Sequence, residues 1–342
     1  MAVTLQQIAD LAGVSRGTVD RALNNRGRIR PEVAEKIKKI AKELGYRPSR
    51  AGRALVMARR NVKIGVIIQS IETPFMQDVL HGIEEAKKEV ESMGTTVEIC
   101  KIEGVNAAEV IENMQKLHDH NVNGIALSPS ADEALTLTVN KFTKEYTIPI
   151  VTFNSDLERS SRICFIGQNA RQSGQTAAGL MGEIISNYGK VVIISGHKEN
   201  LSLQRRADGF TNELSLSYPK IENLGTRYAY DDNWVAQKIT EDILTENPYI
   251  KGIYITGSGV TGVCTAIKNA RKSKEIKIIA NDFLPENINW LSDGTVDFLI
   301  GQDAYTQGYQ SVMVLFQKLF DGTNPEKELN YTDIVIKNKY NI

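Results

Sequence analysis

Cysteine is scarce in this chain of 342 residues: Cys100, Cys164 and Cys264 are an odd number, lie far apart and fall in or beside apolar segments. Disulfide frames and structural zinc sites need paired or closely spaced cysteines, so this spacing favours three small buried side chains instead. Histidine is also rare, with four residues. His118 and His120 have a spacing seen in metal sites, but no cysteine or carboxylate motif accompanies them, which favours surface histidines. We therefore expect no metal site.

Long apolar runs are missing as well. No segment approaches the roughly 20 apolar residues of a membrane span, and the N-terminus lacks the apolar core of a signal peptide. The chain contains no nucleophile elbow, HExxH pair, P-loop or paired carboxylates at the spacing that catalysis uses. The sequence therefore predicts a cytoplasmic protein that has no membrane partner, is not an enzyme and requires no cofactor.

The most informative stretch that is present is residues 4–24, TLQQIADLAGVSRGTVDRALN. Its apolar spacing predicts two short helices joined by a turn at Gly13. Ser15 is a natural N-cap for the second helix. Arg16 and Arg21 stay on the polar face of that helix, where arginines can bond to guanine edges in a major groove. This layout is typical of a DNA-reading helix-turn-helix.

A third helix is predicted from Pro31, which suits a first helical turn, up to Gly45. Small three-helix units also bind proteins, and the pattern leaves that alternative open. Charge favours nucleic acid, because residues 1–60 carry fourteen Lys or Arg against five Asp or Glu, a net charge of +9, whereas the remainder carries −9. A basic head of this kind neutralises phosphates with release of counterions, although the same charges are also compatible with ordinary solvated helix faces.

From residue 62 onward, apolar strand-like runs alternate with amphipathic helical stretches, which are predicted at 76–93, 106–119 and 132–145. This alternation predicts parallel sheets. A second series is predicted to start at RICFIG and to continue through GKVVIIS, KGIYIT, IKIIAND and VDFLIGQ, which gives two similar α/β lobes. Ligands of open parallel sheets bind beyond the carboxyl ends of the strands, and those ends are polar here. They are Gln69, Ser128, Asn154, Gln168, Gly257, Asp282 and Gln302.

Taken together, these segments resemble the lactose-repressor (LacI) family of bacterial transcription regulators over essentially the whole chain. Residues 4–24 resemble the family's helix-turn-helix signature, and YRPSRAGRAL resembles its hinge helix. The body resembles the ribose-binding type of periplasmic sugar-binding protein where that fold meets its ligand. The segments that carry this resemblance are SIETPFM, VTFNSD, FIGQNARQSG, QRRADGF, IIAND and IGQD.

The resemblance implies an α/β protein with an N-terminal three-helix helix-turn-helix domain plus hinge helix, followed by two doubly wound α/β lobes of the periplasmic-binding-protein type 1. The predicted domains are the helix-turn-helix domain at 1–47, the hinge helix and linker at 48–61, an effector-binding N-terminal lobe at 62–160 with 303–320, and a C-terminal lobe at 161–302 with 321–342.

The same resemblance implies three groups of DNA contacts, which read bases, touch phosphates, and enter the minor groove or hold its flanking backbone. An apolar wedge in the minor groove must be able to unstack a base step. Glycine at position 17 has no side chain for base reading, and Asp20 replaces the usual serine, so the operator sequence does not carry over. The base-reading group is Arg16, Gly17 and Arg21, and the phosphate group is Thr4, Ser15 and Thr18. In the third group Leu55 enters the minor groove, and Arg50 and Arg53 hold the flanking backbone.

For the effector, the resemblance implies a sugar or polyol held between the lobes. Polyol recognition uses an aromatic face for sugar C–H groups and charged or amide side chains for neighbouring hydroxyls. Any strand-end Asp or Gln could instead cap the following helix. TGSG at 256–259 replaces an Asn-Asp pair that sugar-binding relatives often carry, so the identity of the effector does not carry over. The candidates are Thr73, Phe75, Asn154, Ser155, Arg206, Asp282 and Gln302, with Gln168 and Tyr230 or Trp234 as further members.

An NAD-linked oxidoreductase is the main alternative. Gly257-x-Gly259-x-x-Gly262 follows a strand-like run, and Asp282 ends the next one, which matches the dinucleotide-binding fingerprint. No acid or base for hydride transfer is evident nearby, and glycine-rich turns are common in α/β proteins. A periplasmic carrier is a third possibility, disfavoured because it would need an export signal and no DNA head.

The sequence thus predicts a DNA-binding transcriptional repressor whose operator binding is controlled by a small-molecule effector. We expect a homodimer, because two reading heads on a pseudo-palindromic operator mirror a two-fold axis. No heptad tail of the kind that makes some relatives tetramers follows the strand-like run YTDIVIKN.

Overall fold

The computed structural model describes residues 3–23, 29–44, 46 and 61–342. The chain divides into two units, Met1–Arg59 and Arg60–Ile342. Within the described residues, no helix is both long and apolar enough to cross a membrane.

The first unit contains three helices, α1 (Leu5–Ala12), α2 (Arg16–Leu23) and α3 (Pro31–Glu43). They form because each has one apolar stripe, and the stripes share a single core. One fully buried residue from each helix, Ile8, Val19 and Ile37, lies in that core. The predicted helix-turn-helix arrangement is confirmed.

Local capping sets where α1 begins and ends. The Thr4 hydroxyl accepts from the backbone N–H of Gln7 at 3.3 Å, and the Gln7 side chain accepts from the backbone N–H of Thr4 at 2.8 Å, which is a capping box. At the other end Gly13 is left-handed, with φ 71°, and its N–H bonds to the carbonyl of Ala9. The turn between α1 and α2 therefore follows from residues 4–13 alone.

The second unit alternates strands and helices. Its strands are β1 (Lys63–Ile68), β2 (Thr96–Lys101), β3 (Gly124–Leu127), β4 (Ile150–Phe153), β5 (Cys164–Gln168), β6 (Gly189–Ser195), β7 (Ile221–Tyr228), β8 (Ile250–Ile255), β9 (Lys277–Asn281), β10 (Phe298–Gly301), β11 (Leu329–Thr332) and β12 (Val335–Lys337). Its helices are α4 (Pro74–Ser92), α5 (Ala107–Asp119), α6 (Glu133–Lys144), α7 (Ala170–Ile184), α8 (Leu201–Ser217), α9 (Asn233–Glu246), α10 (Val260–Asn269), α11 (Pro285–Ser292) and α12 (Ala304–Asp321).

The strands form two six-stranded sheets, one in each lobe. The strand order is β11-β5-β4-β3-β1-β2 in the first sheet and β12-β10-β9-β8-β6-β7 in the second. Every pairing is parallel except that of β10 with β12. Apolar residues cover both faces of the second sheet, since neighbours Ile253 and Tyr254 on β8 enter different core clusters. The predicted architecture of two doubly wound α/β lobes is confirmed.

One predicted boundary within this architecture needs correction. RICFIG was predicted to open the second lobe, whose range began at 161, but β5 pairs with β4 and therefore lies in the first sheet. A βα alternation cannot reveal this, because the link from β4 to β5 is an irregular segment, residues 154–163, rather than a helix. The terminal range 321–342 is also shared: β11 pairs with β5 in the first sheet, whereas β12 pairs with β10 in the second.

The chain consequently crosses between the lobes three times. The crossings lie between β5 and α7, between β10 and α12, and between β11 and β12. Helix α12 returns to the first lobe, where Gly308 comes so close to the backbone of Val79 on α4 that a Cβ would overlap its carbonyl oxygen. Residues 303–320 therefore pack against a helix of the first lobe.

Candidate functional site

A cleft runs between the lobes at the carboxyl ends of both sheets, where open parallel sheets bind ligands. Six of the nine residues predicted to bind an effector line it. They are Thr73, Phe75, Asn154, Arg206, Asp282 and Gln302.

Arg206 is the cation of the cleft. Helix α8 places it at the floor, where it is 1% exposed. Its Nη1 donates to the carbonyl oxygen of Thr256 at 2.6 Å, and its Nη2 donates to Oε1 of Gln168 at 3.3 Å. Its Nε is buried and has no hydrogen-bond partner. Because a buried N–H without a partner costs free energy, the site can gain by pairing this donor with a ligand oxygen.

Asp282 is a carboxylate on the same floor. It directly follows β9, is 7% exposed, and accepts from Nε2 of Gln302 at 2.8 Å. Burial raises the pKa of Asp282, and the nearby Arg206 guanidinium opposes that shift. A buried carboxylate with free lone pairs is well suited to accept hydrogen bonds from ligand hydroxyls.

The first lobe contributes three predicted residues of different character. Phe75, in the first turn of α4, is partly exposed and offers an aromatic face. Asn154 follows β4 and is 8% exposed. The hydroxyl of Thr73 caps α4 by accepting from the N–H of Met76 at 3.4 Å, and it donates to the carbonyl of Ser70 at 2.9 Å. Thr73 therefore has a capping role that is sufficient to explain its presence.

Four cleft residues share an unusual backbone conformation. Ser70, Asn154, Asp231 and Asp282 each lie just after a strand and have φ of 53°, 62°, 62° and 74°. Left-handed φ costs a non-glycine residue roughly 1–2 kcal/mol, less for Asn and Asp. Such positions concentrate at binding sites, where they aim side chains inward.

The other predicted effector residues, including both aromatic alternatives, lie outside the cleft. Ser155 lies in a neighbouring pocket, where its hydroxyl donates to Oδ1 of Asn200 at 3.3 Å. Gln168 lies behind Arg206 and orients it. Trp234 is 66% exposed in the first turn of α9, and Tyr230 is 57% exposed; neither lines the cleft. Asp231, which lies between these two residues in the sequence, lines the cleft instead.

Asp231 is a cleft residue that the sequence pattern does not predict. It follows β7, an edge strand of the second sheet that was also not predicted. The sequence of β7, IENLGTRY, has few apolar residues and only one that is fully buried, so it carries neither the continuous apolar run nor the alternation that marks a strand. Other polar lining residues that were not proposed as effector contacts are Gln69, Ser70, Ser128, Asn200, Ser202 and Ser258.

The glycines of the dinucleotide fingerprint have structural explanations. Gly259 is left-handed, with φ 98°, at the N-cap of α10. A Cβ at Gly262 would overlap the carbonyl oxygen of Asn233, so this glycine permits α9 and α10 to pack closely. Asp282 faces Gln302 in the cleft. The βαβ context is present, but each feature follows from the packing of this lobe.

In the first unit, the predicted DNA-contacting residues Ser15, Arg16, Gly17 and Arg21 are exposed on or just before α2. The Ser15 hydroxyl accepts from the N–H of Thr18 at 3.2 Å, as expected of an N-cap. Nε of Arg21 donates to the carbonyl of Gly17 at 3.1 Å. Thr4 is exposed at the start of α1. The remaining predicted DNA contacts, Arg50, Arg53 and Leu55, lie outside the described residues.

Comparison with known proteins agrees with this combination of units. The periplasmic binding protein domain matches residues 64–323, and the lacI family of bacterial regulatory proteins matches residues 4–49. The HTH-type transcriptional regulator IdnR of Escherichia coli is 26% identical over 258 residues, which are 75% of this chain and 74% of IdnR. The HTH-type transcriptional regulator MalR of Streptococcus pneumoniae is 24% identical over 345 residues and 98% of each chain.

Solved structures support the fold of the body. A sugar-binding protein of a sugar ABC transporter from Bacillus halodurans superimposes with a TM-score of 0.71 at 26% identity, covering 82% of this chain and 98% of that protein. A helix-turn-helix unit followed by such a body defines a class of DNA-binding regulators that carry a ligand-binding domain. The chain belongs to the periplasmic binding protein domain family through its body, carries a helix-turn-helix domain of the lacI family of bacterial regulatory proteins, and is a helix-turn-helix transcriptional regulator.

Proposed function

We propose that the protein is a homodimeric repressor whose operator binding is controlled by a sugar or polyol held in the cleft by Arg206, Asp282, Asn154, Phe75 and Gln302. One observation carries the proposal. Arg206 is 1% exposed, yet its Nε has no partner, and it lies in a cleft with a buried carboxylate. A hydroxyl-rich ligand supplies both the acceptor that Arg206 lacks and donors for Asp282.

The surroundings support a two-state response to that ligand. The lobes already touch beside the cleft, where the N–H of Ala131 donates to the carbonyl of Glu199 at 3.0 Å and Arg205 pairs with Glu158 at 2.9 Å. A ligand that bonds to both lobes stabilises this contact relative to a separated state. The effector then shifts the equilibrium by its differential affinity for the two states, and DNA must change effector affinity by the same factor.

For DNA, we propose that α2 enters the major groove, with Arg16, Gly17 and Arg21 toward bases and Thr4, Ser15 and Thr18 toward phosphates. The exposure of Arg16 at the start of α2 supports this, because recognition helices contact base edges through their N-terminal residues. We propose contacts from Arg50, Arg53 and Leu55 on the basis of the sequence resemblance alone.

Two measurements test the proposal. A thermal-shift screen of pentoses, hexoses, inositols and their phosphates should find a compound that raises the melting temperature, because a ligand of the folded state alone stabilises it. A duplex selected from a random library should then bind the protein, and the same compound should change that affinity. A body that no compound stabilises, or DNA binding that ignores a compound that does, would refute effector control. Light scattering that finds a monomer on the selected duplex would refute the dimer.

A further inference from the structure

An unusual backbone conformation places Asp231 in the cleft. Tyr230 and Asp231 are consecutive left-handed residues, with φ of 53° and 62°, at the end of edge strand β7. This double turn sets the Asp231 carboxylate against Gly196, where a Cβ would overlap Oδ1. The side chain of Asp231 is 11% exposed and lines the cleft. The turn and the glycine together make room for a carboxylate.

The charges around the cleft do not balance. Among the described residues that line it, the charged ones are Arg206, Asp231 and Asp282, which sum to −1 when both carboxylates are ionised. Two exposed carboxylates add to the same field, since Glu72 acts on Asp231 and Asp78 acts on Asp282. The single guanidinium of the lining thus faces an excess of negative charge.

The remaining neighbours of Asp231 leave part of its acceptor capacity unused. The Ser258 side chain acts on the carboxylate and lowers its pKa, and Nε2 of His197 lies 4.0 Å from Oδ2, too far for a hydrogen bond. An ionised carboxylate accepts at about four lone-pair positions. Hydroxyl groups of a ligand in the cleft are suitable donors for the others.

Building on the proposed function, we infer that the cleft takes an uncharged sugar or polyol and that Asp231 is the residue that excludes sugar acids and sugar phosphates. A hydroxyl approaches Asp231 as a donor and adds no charge. A carboxylate or phosphate on the ligand would stand beside two carboxylates with one shared cation, and all three of these side chains are largely buried. Like charges juxtaposed at buried side chains oppose binding strongly, and this repulsive element provides the discrimination.

The test compares ligands with matched carbon frames by calorimetry at fixed ionic strength. The pairs are glucose and glucuronate, galactose and galacturonate, ribose and ribose 5-phosphate, and myo-inositol with its monophosphate. For any pair in which binding is detected, the wild-type protein should bind the neutral member about 10-fold more tightly or better. Asp231→Asn should reduce that ratio by about 10-fold, and Asp231→Ser provides a second uncharged variant should the first fail to fold.

Asp232→Asn is the matched control. Asp232 is the exposed neighbour that caps α9 by accepting from the N–H of Val235 at 2.8 Å, and asparagine retains that capping. Its substitution removes the same charge one residue away and should leave the ratio unchanged. The inference is overturned when an anionic member binds wild type as tightly as its neutral partner, or when Asp231→Asn and Asp232→Asn give the same ratio. Binding of sugars without discrimination defeats only this inference, whereas binding of none of the compounds defeats the proposed sugar effector with it.

Discussion

Nε2 of Gln168 donates to the carbonyl oxygen of Gly301 at 2.8 Å, and this bond joins two of the three crossings between the lobes. Gln168 ends β5, and Gly301 ends β10. Oε1 of the same glutamine accepts from Nη2 of Arg206. One side chain therefore contacts both a crossing between the lobes and Arg206 in the proposed effector site.

A second glutamine completes the arrangement. Gln302 donates to Asp282 through its side chain, and its carbonyl oxygen accepts from Oγ1 of Thr332 at 2.8 Å and from Nε2 of Gln307 at 2.7 Å. Thr332 lies just before the third crossing. A ligand that repositions Arg206 or Asp282 must act on the hydrogen bonds that hold the crossings together. These bonds are a physical link between the proposed effector site and the crossings between the lobes.

Arg206→Ala should abolish the rise in melting temperature that a bound sugar produces, because the variant loses the only guanidinium lining the described cleft. Arg227→Ala is the control in the same lobe, since Arg227 is exposed on β7, donates to the carbonyl oxygen of Leu224 at 3.2 Å and does not line the cleft. It should retain the full shift. Equal loss in the two variants, measured by thermal shift, would contradict a specific role for Arg206.

Asp282→Asn should make the free energy of unfolding less dependent on pH. Burial raises the pKa of Asp282 above its ordinary 3.8, so the folded state keeps the proton to higher pH than the unfolded state. Ionisation therefore lowers stability as the pH rises from about 4 through the raised folded pKa. Across that window the wild type should lose stability relative to the variant, and the difference should then level off.

Urea unfolding of wild type and Asp282→Asn at intervals from pH 4 to pH 8 measures this effect. Asp231 has a pKa raised by the same cause and remains in the variant, so the slope should decrease rather than vanish. A difference between the two proteins that is constant with pH would show that Asp282 does not titrate differently in the folded state.

Gly262→Ala should destabilise the body by about 1–3 kcal/mol, because the new methyl group must displace α9 from α10. Gly179→Ala, in the middle of α7, meets no atom within 4 Å and should instead stabilise by about 0.5–1 kcal/mol. Chemical unfolding measures both. A dinucleotide site at Gly262 would instead predict that NADH binds the wild-type protein with a fluorescence change and that Gly262→Ala lacks this change. We expect no fluorescence change in the wild-type protein or in Gly262→Ala.

Arg16→Ala should weaken binding to the selected duplex by about 1–3 kcal/mol, which is a factor of about 5 to 150, because the proposed bond to a base edge is lost. Lys39→Ala removes the same charge from α3, where Lys39 is exposed and lies 4.0 Å from Glu43. The control should change affinity far less. Fluorescence anisotropy on the selected duplex and on a scrambled one distinguishes the two cases, because a base contact is lost only on the former.

Periodic segments of the sequence were sufficient to predict much of the fold. The helices predicted at 76–93, 106–119 and 132–145 are observed at Pro74–Ser92, Ala107–Asp119 and Glu133–Lys144. A helix with one apolar face repeats every 3.6 residues, so the signal is local and survives without knowledge of the neighbours. The capping residues of α1 are local in the same way.

Features that depend on pairing between distant segments could not be predicted. The apolar run of β5 has the same appearance whichever sheet it joins, and only its hydrogen bonds to β4 and β11 assign it. Asp231 was not predicted as a cleft residue, because it follows a partly exposed edge strand whose polar sequence resembles a loop. Conversely, Trp234 was proposed because tryptophan suits a sugar-binding face, but α9 turns it to solvent.

The last two strands have a consequence for anyone shortening the gene. β11 and β12 are consecutive in the chain, yet β11 is the edge of one sheet and β12 is the edge of the other. Deleting residues 329–342 would thus remove one edge strand from each sheet and expose backbone N–H and C=O groups on β5 and β10. A shorter deletion of residues 335–342 would remove β12 alone and leave β11 in the first sheet, and fusion partners are better attached beyond Ile342 than in place of these residues.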